Sequence, residues 1–200
     1  MRGSIIIVSF FILGILSGLS GFLPESIQNS NLSFYALAAL IFCVGMSIGN
    51  DPDMLKSFRS LNPRLVFLPF MTISGTLAGS FLVSFMLENR SITDCMAVGS
   101  GFGYYSLSSV FITEYKGAEL GTIALLSNVS RELIALLTAP LLVRYFGKLA
   151  PISVGGATTM DTTLPVIMRY SGKDYAVVSV YHGFIVDFSV PFLVTLFCSV

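Results

Sequence analysis

The sequence predicts an all-α polytopic membrane protein, with about five transmembrane helices and two further segments that are broken or re-entrant. Three observations lead there. The 200-residue chain is 54% hydrophobic and only 11% charged, where a soluble domain carries roughly 25% charged residues. Five apolar runs are long enough to cross a hydrocarbon core of ~30 Å at ~1.5 Å per helical residue. Two other runs are apolar at their ends but small and polar in their middles.

The five runs cover about residues 4–23, 32–49, 65–87, 120–146 and 175–200. The first follows Met1–Arg2. Its full span length, with no small-residue cleavage pattern after it, favours a transmembrane helix over a signal peptide. Pro24 and the stretch 29–31 separate the first two runs, and Asp51–Pro52–Asp53 ends the second.

The two unusual runs are residues 96–113 (MAVGSGFGYYSLSSVFIT) and 151–168 (PISVGGATTMDTTLPVIM). Glycine costs ~1 kcal/mol in a helix relative to alanine, and proline ~3. Gly99, Gly101 and Gly103 in the first, and Gly155, Gly156 and Pro165 in the second, therefore argue that each helix is interrupted. Backbone freed from helical bonding cannot face lipid and is tolerated only inside protein or along a wet cavity. These segments are the expected lining of a binding site.

Charge placement orients the chain. Lys56, Arg59 and Arg64 follow the second run, which puts that loop in the cytoplasm. Arg2 then also lies inside, the 24–31 loop lies outside with no Lys or Arg, and the third run exits to the outside at residues 88–90. With both broken segments re-entrant, Arg144, Lys148, Arg169 and Lys173 all fall in the cytoplasm. Treating both as full crossings would put Arg144 and Lys148 outside, against the positive-inside rule.

An internal repeat supports the re-entrant reading. At a constant offset of 55 residues Gly101 matches Gly156, Tyr115 matches Tyr170 and Gly117 matches Gly172. The same offset pairs Glu119 with Asp174 and Glu132 with Asp187. One crossing separates the two units, which makes this an inverted repeat, a common plan for secondary transporters. The bland alternative is chance matching of small residues. The expected organisation is one integral membrane domain, with scaffold spans over 1–91 and repeat units over 92–146 and 147–200.

Ionisable groups at membrane depth cost ~2.5–3.5 kcal/mol each and are rarely idle. The candidates are Glu114, Arg131, Glu132, Asp161, His182 and Asp187, with Asn128 adding polar reach. Glu132 sits mid-helix with Asn128 four residues earlier on the same face, and Asp161 is central in the second broken segment. Two carboxylates inside a membrane suit a substrate with two amino groups. Desolvation favours a carboxylate's neutral form, so such a group can also exchange a proton. Each candidate has a structural alternative. Glu132 can pair with Arg131, although adjacent residues point ~100° apart on a helix. Asp161 can cap a helix, Glu114 can be a solvated carboxylate near Lys116, and His182 a hydrogen-bonded packing residue. Asp187 has no evident partner in the sequence, Arg131 or a role matching Glu132 being the options. Tyr104 and Tyr105 can close on a substrate or simply pack.

Other classes find no support. Net charge is zero, which suggests no nucleic-acid partner. Cys43, Cys95 and Cys198 read as small apolar fillers, neither a disulfide framework nor a metal site. No P-loop, GxSxG, HExxH or paired CxxC occurs. The expectation is therefore a transporter and not an enzyme, with no cofactor and no ATP site, driven by an ion gradient or by the substrate's own gradient.

The stretches GSGFGYYSLSS (99–109), Thr113–Glu114, NVSRE (128–132), GGATTMDTTLP (155–165) and His182–Gly183 occur in that order. With LIFCVGMSIGND (40–51) they make the chain resemble, over essentially its whole length, the lysine exporter (LysO) family. The resemblance implies export of L-lysine and its analogue thialysine across the bacterial inner membrane, with proton antiport the expected coupling. It also implies that Glu132 and Asp161 are the family's two important intramembrane acids. Asn128, Arg131, Glu114 and His182 complete the expected substrate or proton site. There are two departures. Position 129 is Val where the family often has Asp, and the family's N-terminal stretch of about three spans has no counterpart. The expected partners are the bilayer, L-lysine, protons and a small membrane protein supplying those spans, with a homodimer left open. The competing readings are a secondary transporter for another amino acid or a cation, and a non-transporting membrane scaffold subunit.

The orientation is testable. Cysteine labels at Ser57 and Lys148 are expected to report the cytoplasm, and one at Asn29 the outside. Opposite labelling of Ser57 and Lys148 contradicts the re-entrant reading of residues 96–113.

Overall fold

The computed structural model describes residues 63–200, together with the isolated positions Leu13, Leu16, Ser17 and Met46. The runs expected at 4–23 and 32–49, the loop residues Lys56 and Arg59, and Cys43 lie outside the described residues. Every regular element among the described residues is helical.

A single turn, α1 (Pro63–Val66), leads into α2 (Leu68–Ser84). Then come α3 (Ile92–Gly99), α4 (Tyr105–Lys116) and the long α5 (Ala118–Phe146). After α5 the pattern recurs as α6 (Ala150–Gly155), a 3-10 turn (Gly156–Met160), α7 (Leu164–Tyr170) and the long α8 (Ala176–Cys198). With 29 and 23 residues, α5 and α8 are about 43 and 34 Å long, and both are apolar enough to cross a membrane. The 17-residue α2 reaches about 25 Å.

Both broken segments are broken where glycine predicts. The first opens between Gly99 and Tyr105, the second between Gly155 and Leu164. Three of the six expected break residues have a different local role. Gly99 closes α3, Gly155 closes α6, and Pro165 sits in the first turn of α7. Proline's missing N–H costs nothing in a first turn, so Pro165 begins a helix instead of breaking one.

The two ends of each broken segment lie close together. Arg90, just before α3, pairs with Glu119 at the start of α5. One helical turn further, Asp94 lies 3.7 Å from Lys116 at the end of α4. The two ends of the first segment are therefore neighbours. In the second, the Lys148 ammonium lies 5.6 Å from the Tyr175 ring centre, and Leu149 and Tyr175 pack on one cluster of Ile152, Ile167 and Val178. These are two hairpins of short helices, none long enough to span ~30 Å.

The hairpins enter from opposite faces. Leu65 and Leu68, at the start of the α1–α2 stretch, join the cluster at the base of the second hairpin. Leu87 and Arg90, beyond the end of α2, share a cavity wall with Asp94 at the base of the first. Helix α5 runs from Glu119, at the first base, to Phe146, two residues before Lys148 at the second. Helix α8 runs back, its buried Val186, Val190, Val194 and Cys198 packing with Ala97, Leu120 and Ala124. Its other face exposes Phe184, Phe188 and Phe192 by 61%, 64% and 62%, an apolar stripe at helical spacing that suits lipid and not water.

The tips of the hairpins meet between these helices. The backbone N–H of Ala157 donates to the Phe102 carbonyl at 2.9 Å. Phe102 is fully buried and has φ +45°, a left-handed conformation that is costly for an aromatic residue and persists only when its surroundings fix it. Gly156 has φ +65°, and a Cβ there would stand 2.2 Å from the Phe102 oxygen. Glycine is thus required at position 156 for both conformation and approach.

Gly156→Ala is expected to separate the tips and lower stability by about 2–4 kcal/mol, from overpacking and backbone strain together. Gly79→Ala, where a Cβ meets nothing within 4 Å, is the control and is expected to be near neutral. Thermal unfolding of both variants in detergent checks the difference.

Candidate functional site

The meeting point of the tips is fixed by three polar side chains from the crossing helices. Asn128, on α5 and 3% exposed, accepts from the Gly103 N–H at 2.8 Å. Its amide nitrogen donates to the carbonyls of Val98 at 3.2 Å and Ala124 at 2.9 Å. Arg131, one turn further along α5, lies over the second hairpin. Its Nε donates to the Val154 carbonyl at 2.9 Å and a terminal nitrogen to Ser153 at 3.1 Å. These are the last carbonyls of α6, where a cation offsets the negative helix end. Its other terminal nitrogen donates to the Thr76 hydroxyl on α2 at 3.2 Å, and its guanidinium lies 5.8 Å from the Phe102 ring centre.

The third is His182 on α8, which is fully buried. Its Nε2 lies 2.9 Å from the Thr72 hydroxyl of α2 and its Nδ1 3.2 Å from the Thr159 hydroxyl of the 3-10 turn. Thr159 also reaches the carbonyls of Gly156 at 2.8 Å and Ser179 at 3.0 Å. Gly183 lets α8 approach this closely, because a Cβ there would stand 2.7 Å from the Met160 nitrogen. Every polar atom of Asn128 and both ring nitrogens of His182 are thus satisfied within the protein, as buried polar groups require.

Beside this framework is a patch of acids. Glu132 on α5 and Asp161 in the second tip are both half-buried. Asp161 does not cap α7, whose N-cap is Thr163. Its carboxylate instead accepts from the Thr162 N–H at 2.5 Å and from the Thr162 hydroxyl at 3.3 Å. The Thr162 side chain also interacts with Glu132, and Glu132 and Asp161 are close enough to feel each other's charge and to act together on the Tyr105 hydroxyl. Asp187 on α8 is electrostatically coupled to Asp161 as well. The ion pairs among the described residues are Arg90–Glu119 and Lys116–Asp94, so none of these three acids has a basic partner there.

The structure therefore brings Glu132 and Asp161 together and sets Asn128, Arg131 and His182 behind them as bonded supports. Glu114 stands apart, exposed near the end of α4. Asp187, a membrane-depth candidate from the sequence that had no evident partner there, joins the patch, as do Thr162 and Tyr105. The signal for Asp187 was its 55-residue match to Glu132. No group of three or more His, Cys, Asp or Glu residues that could hold a metal occurs among the described residues. Cys95 and Cys198 are free thiols.

Opposed broken hairpins meeting between crossing helices, with unpaired acids at the junction, follow the building plan of secondary transporters. The chain belongs to the lysine exporter LysO family, whose model matches residues 8–198. It is 36% identical over 190 residues to the lysine exporter LysO of Escherichia coli K12, covering 94% of this chain and 62% of that relative. It is 34% identical over 172 residues to a putative lysine exporter of Haemophilus influenzae, covering 86% of each. The chain thus spans less than two thirds of the Escherichia coli relative's length. No solved structure matches it.

Proposed function

We propose that this chain is a multi-pass protein of the bacterial inner membrane that exports L-lysine by proton antiport. Two named relatives support the substrate. The observation that carries the mechanism is the acid patch. Glu132 and Asp161 share Thr162 and have no basic partner among the described residues, so a dicationic side of a solute is the counter-charge that fits. Units 92–146 and 147–200 act as an inverted repeat in this reading, the opposed hairpins forming the two halves of one gate.

The cycle follows from electrostatics. Facing the cytoplasm, the two carboxylates are ionised and hold the ammonium groups of lysine. Facing out, protons from the more acidic side neutralise them, and the substrate loses its counter-charges and leaves. The protons then ride inward on the return step. Asp187, coupled to Asp161 through space, tunes how readily the pair takes up the proton.

Removing one partner of a buried charged contact costs about 3–5 kcal/mol, a loss of more than a hundredfold in affinity. Glu132→Gln and Asp161→Asn are each expected to abolish export in cells lacking their own exporter and fed a lysine-containing dipeptide, at matched protein level. Glu114→Gln is expected to be mild. Normal lysine export by both variants contradicts the two-carboxylate mechanism.

A further inference from the structure

Arg131 faces two environments. One is the carboxyl end of α6, already described. The other is a cavity of about 680 Å³ between α2, α5 and α6, whose polar wall is Thr72, Thr76, Ser127, Ser130, Arg131 and Ser153. Among the described residues no Asp or Glu lines it. A guanidinium has five N–H donors, and Arg131 spends three of them on Ser153, Val154 and Thr76. One donor remains on each terminal nitrogen. The cation has no carboxylate partner among the described residues, although an arginine at membrane depth ordinarily pairs.

The hydroxyls around it are able to donate. Thr76 accepts from Arg131, so its own O–H is left to give. Ser127 and Ser130 are exposed on the cavity wall one helical turn apart on α5. Glu132 follows Arg131 directly, and consecutive residues point about 100° apart around a helix. Two adjacent faces of α5 therefore carry opposite charges, the acid patch on one and a lone guanidinium with hydroxyls on the other.

We propose that this cavity is an anion subsite that takes the carboxylate of an amino-acid substrate, Arg131 supplying the counter-charge and Thr76 and Ser130 the neutral donors. The proposal rests on the amino-acid export reading and completes it. The acid patch accounts for the ammonium groups of a solute and leaves its carboxylate without a partner. Charge-assisted hydrogen bonds of this kind are about twice as strong as neutral ones.

The test compares L-lysine with 1,5-diaminopentane, the same chain without the carboxylate, as competitors for labelled lysine on the full chain in detergent. The wild type is expected to bind lysine roughly tenfold or more tightly than the diamine. Thr76→Val and Ser130→Ala leave the guanidinium on the α6 carbonyls, and each is expected to narrow that ratio about threefold or more with diamine affinity unchanged. Arg131→Gln is expected to abolish the ratio. A wild type that binds the two ligands equally overturns the subsite and leaves the export reading standing. Parallel losses for both ligands in Thr76→Val and Ser130→Ala overturn it too, assigning the cavity a packing role. A wild type that binds neither ligand overturns the lysine reading and the subsite together.

Discussion

Two stretches of unwound backbone at membrane depth must be hydrogen-bonded without help from water, and the rest of the structure depends on how that is done. Each unpaired N–H or C=O in hydrocarbon costs several kcal/mol. Here the two breaks satisfy each other. Ala157 donates to Phe102, Asn128 takes the Gly103 N–H, and Arg131 closes the carbonyl end of α6. The left-handed Phe102 is held by contacts on both sides, from the neighbouring tip and from the guanidinium over its ring. A bond network of this kind leaves little freedom in where the tips stop, and Asp161 and Thr162 are positioned by it.

The same devices separate charge. Arg131 and Glu132 are consecutive, yet the helix turns one toward the α6 carbonyls and the other toward Thr162. They do not neutralise each other. The acids stay close together with Thr162 beside both. His182 joins α2, α8 and the 3-10 turn through two hydroxyls, so movement of the second tip would have to break a buried chain of hydrogen bonds.

Much of this was legible in the sequence. The long apolar runs gave α5 and α8 to within two residues at either end, because length and composition alone decide a lipid-embedded helix. Glycine located both breaks. What the sequence hid were contacts made across space. Nothing local shows that Asn128 serves Gly103, that Phe102 serves Ala157, or that Asp187 lies near Asp161. Asn128, Arg131 and His182 drew attention as polar residues in apolar helices, but the backbone and hydroxyl groups they bond could not be read from the sequence. Pro165 read as a breaker because position within the first helical turn is invisible until the helix start is known.

The central claim is that the two hairpin tips touch inside the membrane. Its most direct test is a cysteine pair, Phe102→Cys with Ala157→Cys, in a chain whose Cys43, Cys95 and Cys198 are replaced by alanine. Membranes are treated with a mild oxidant, and the denatured protein is then counted for thiols with a maleimide reagent. The account predicts that oxidation protects both cysteines, and that a pair at Asp94 and Ala157, with one residue at a hairpin base, stays reactive. Full reactivity of the tip pair, with the protein folded and in the membrane, would contradict it.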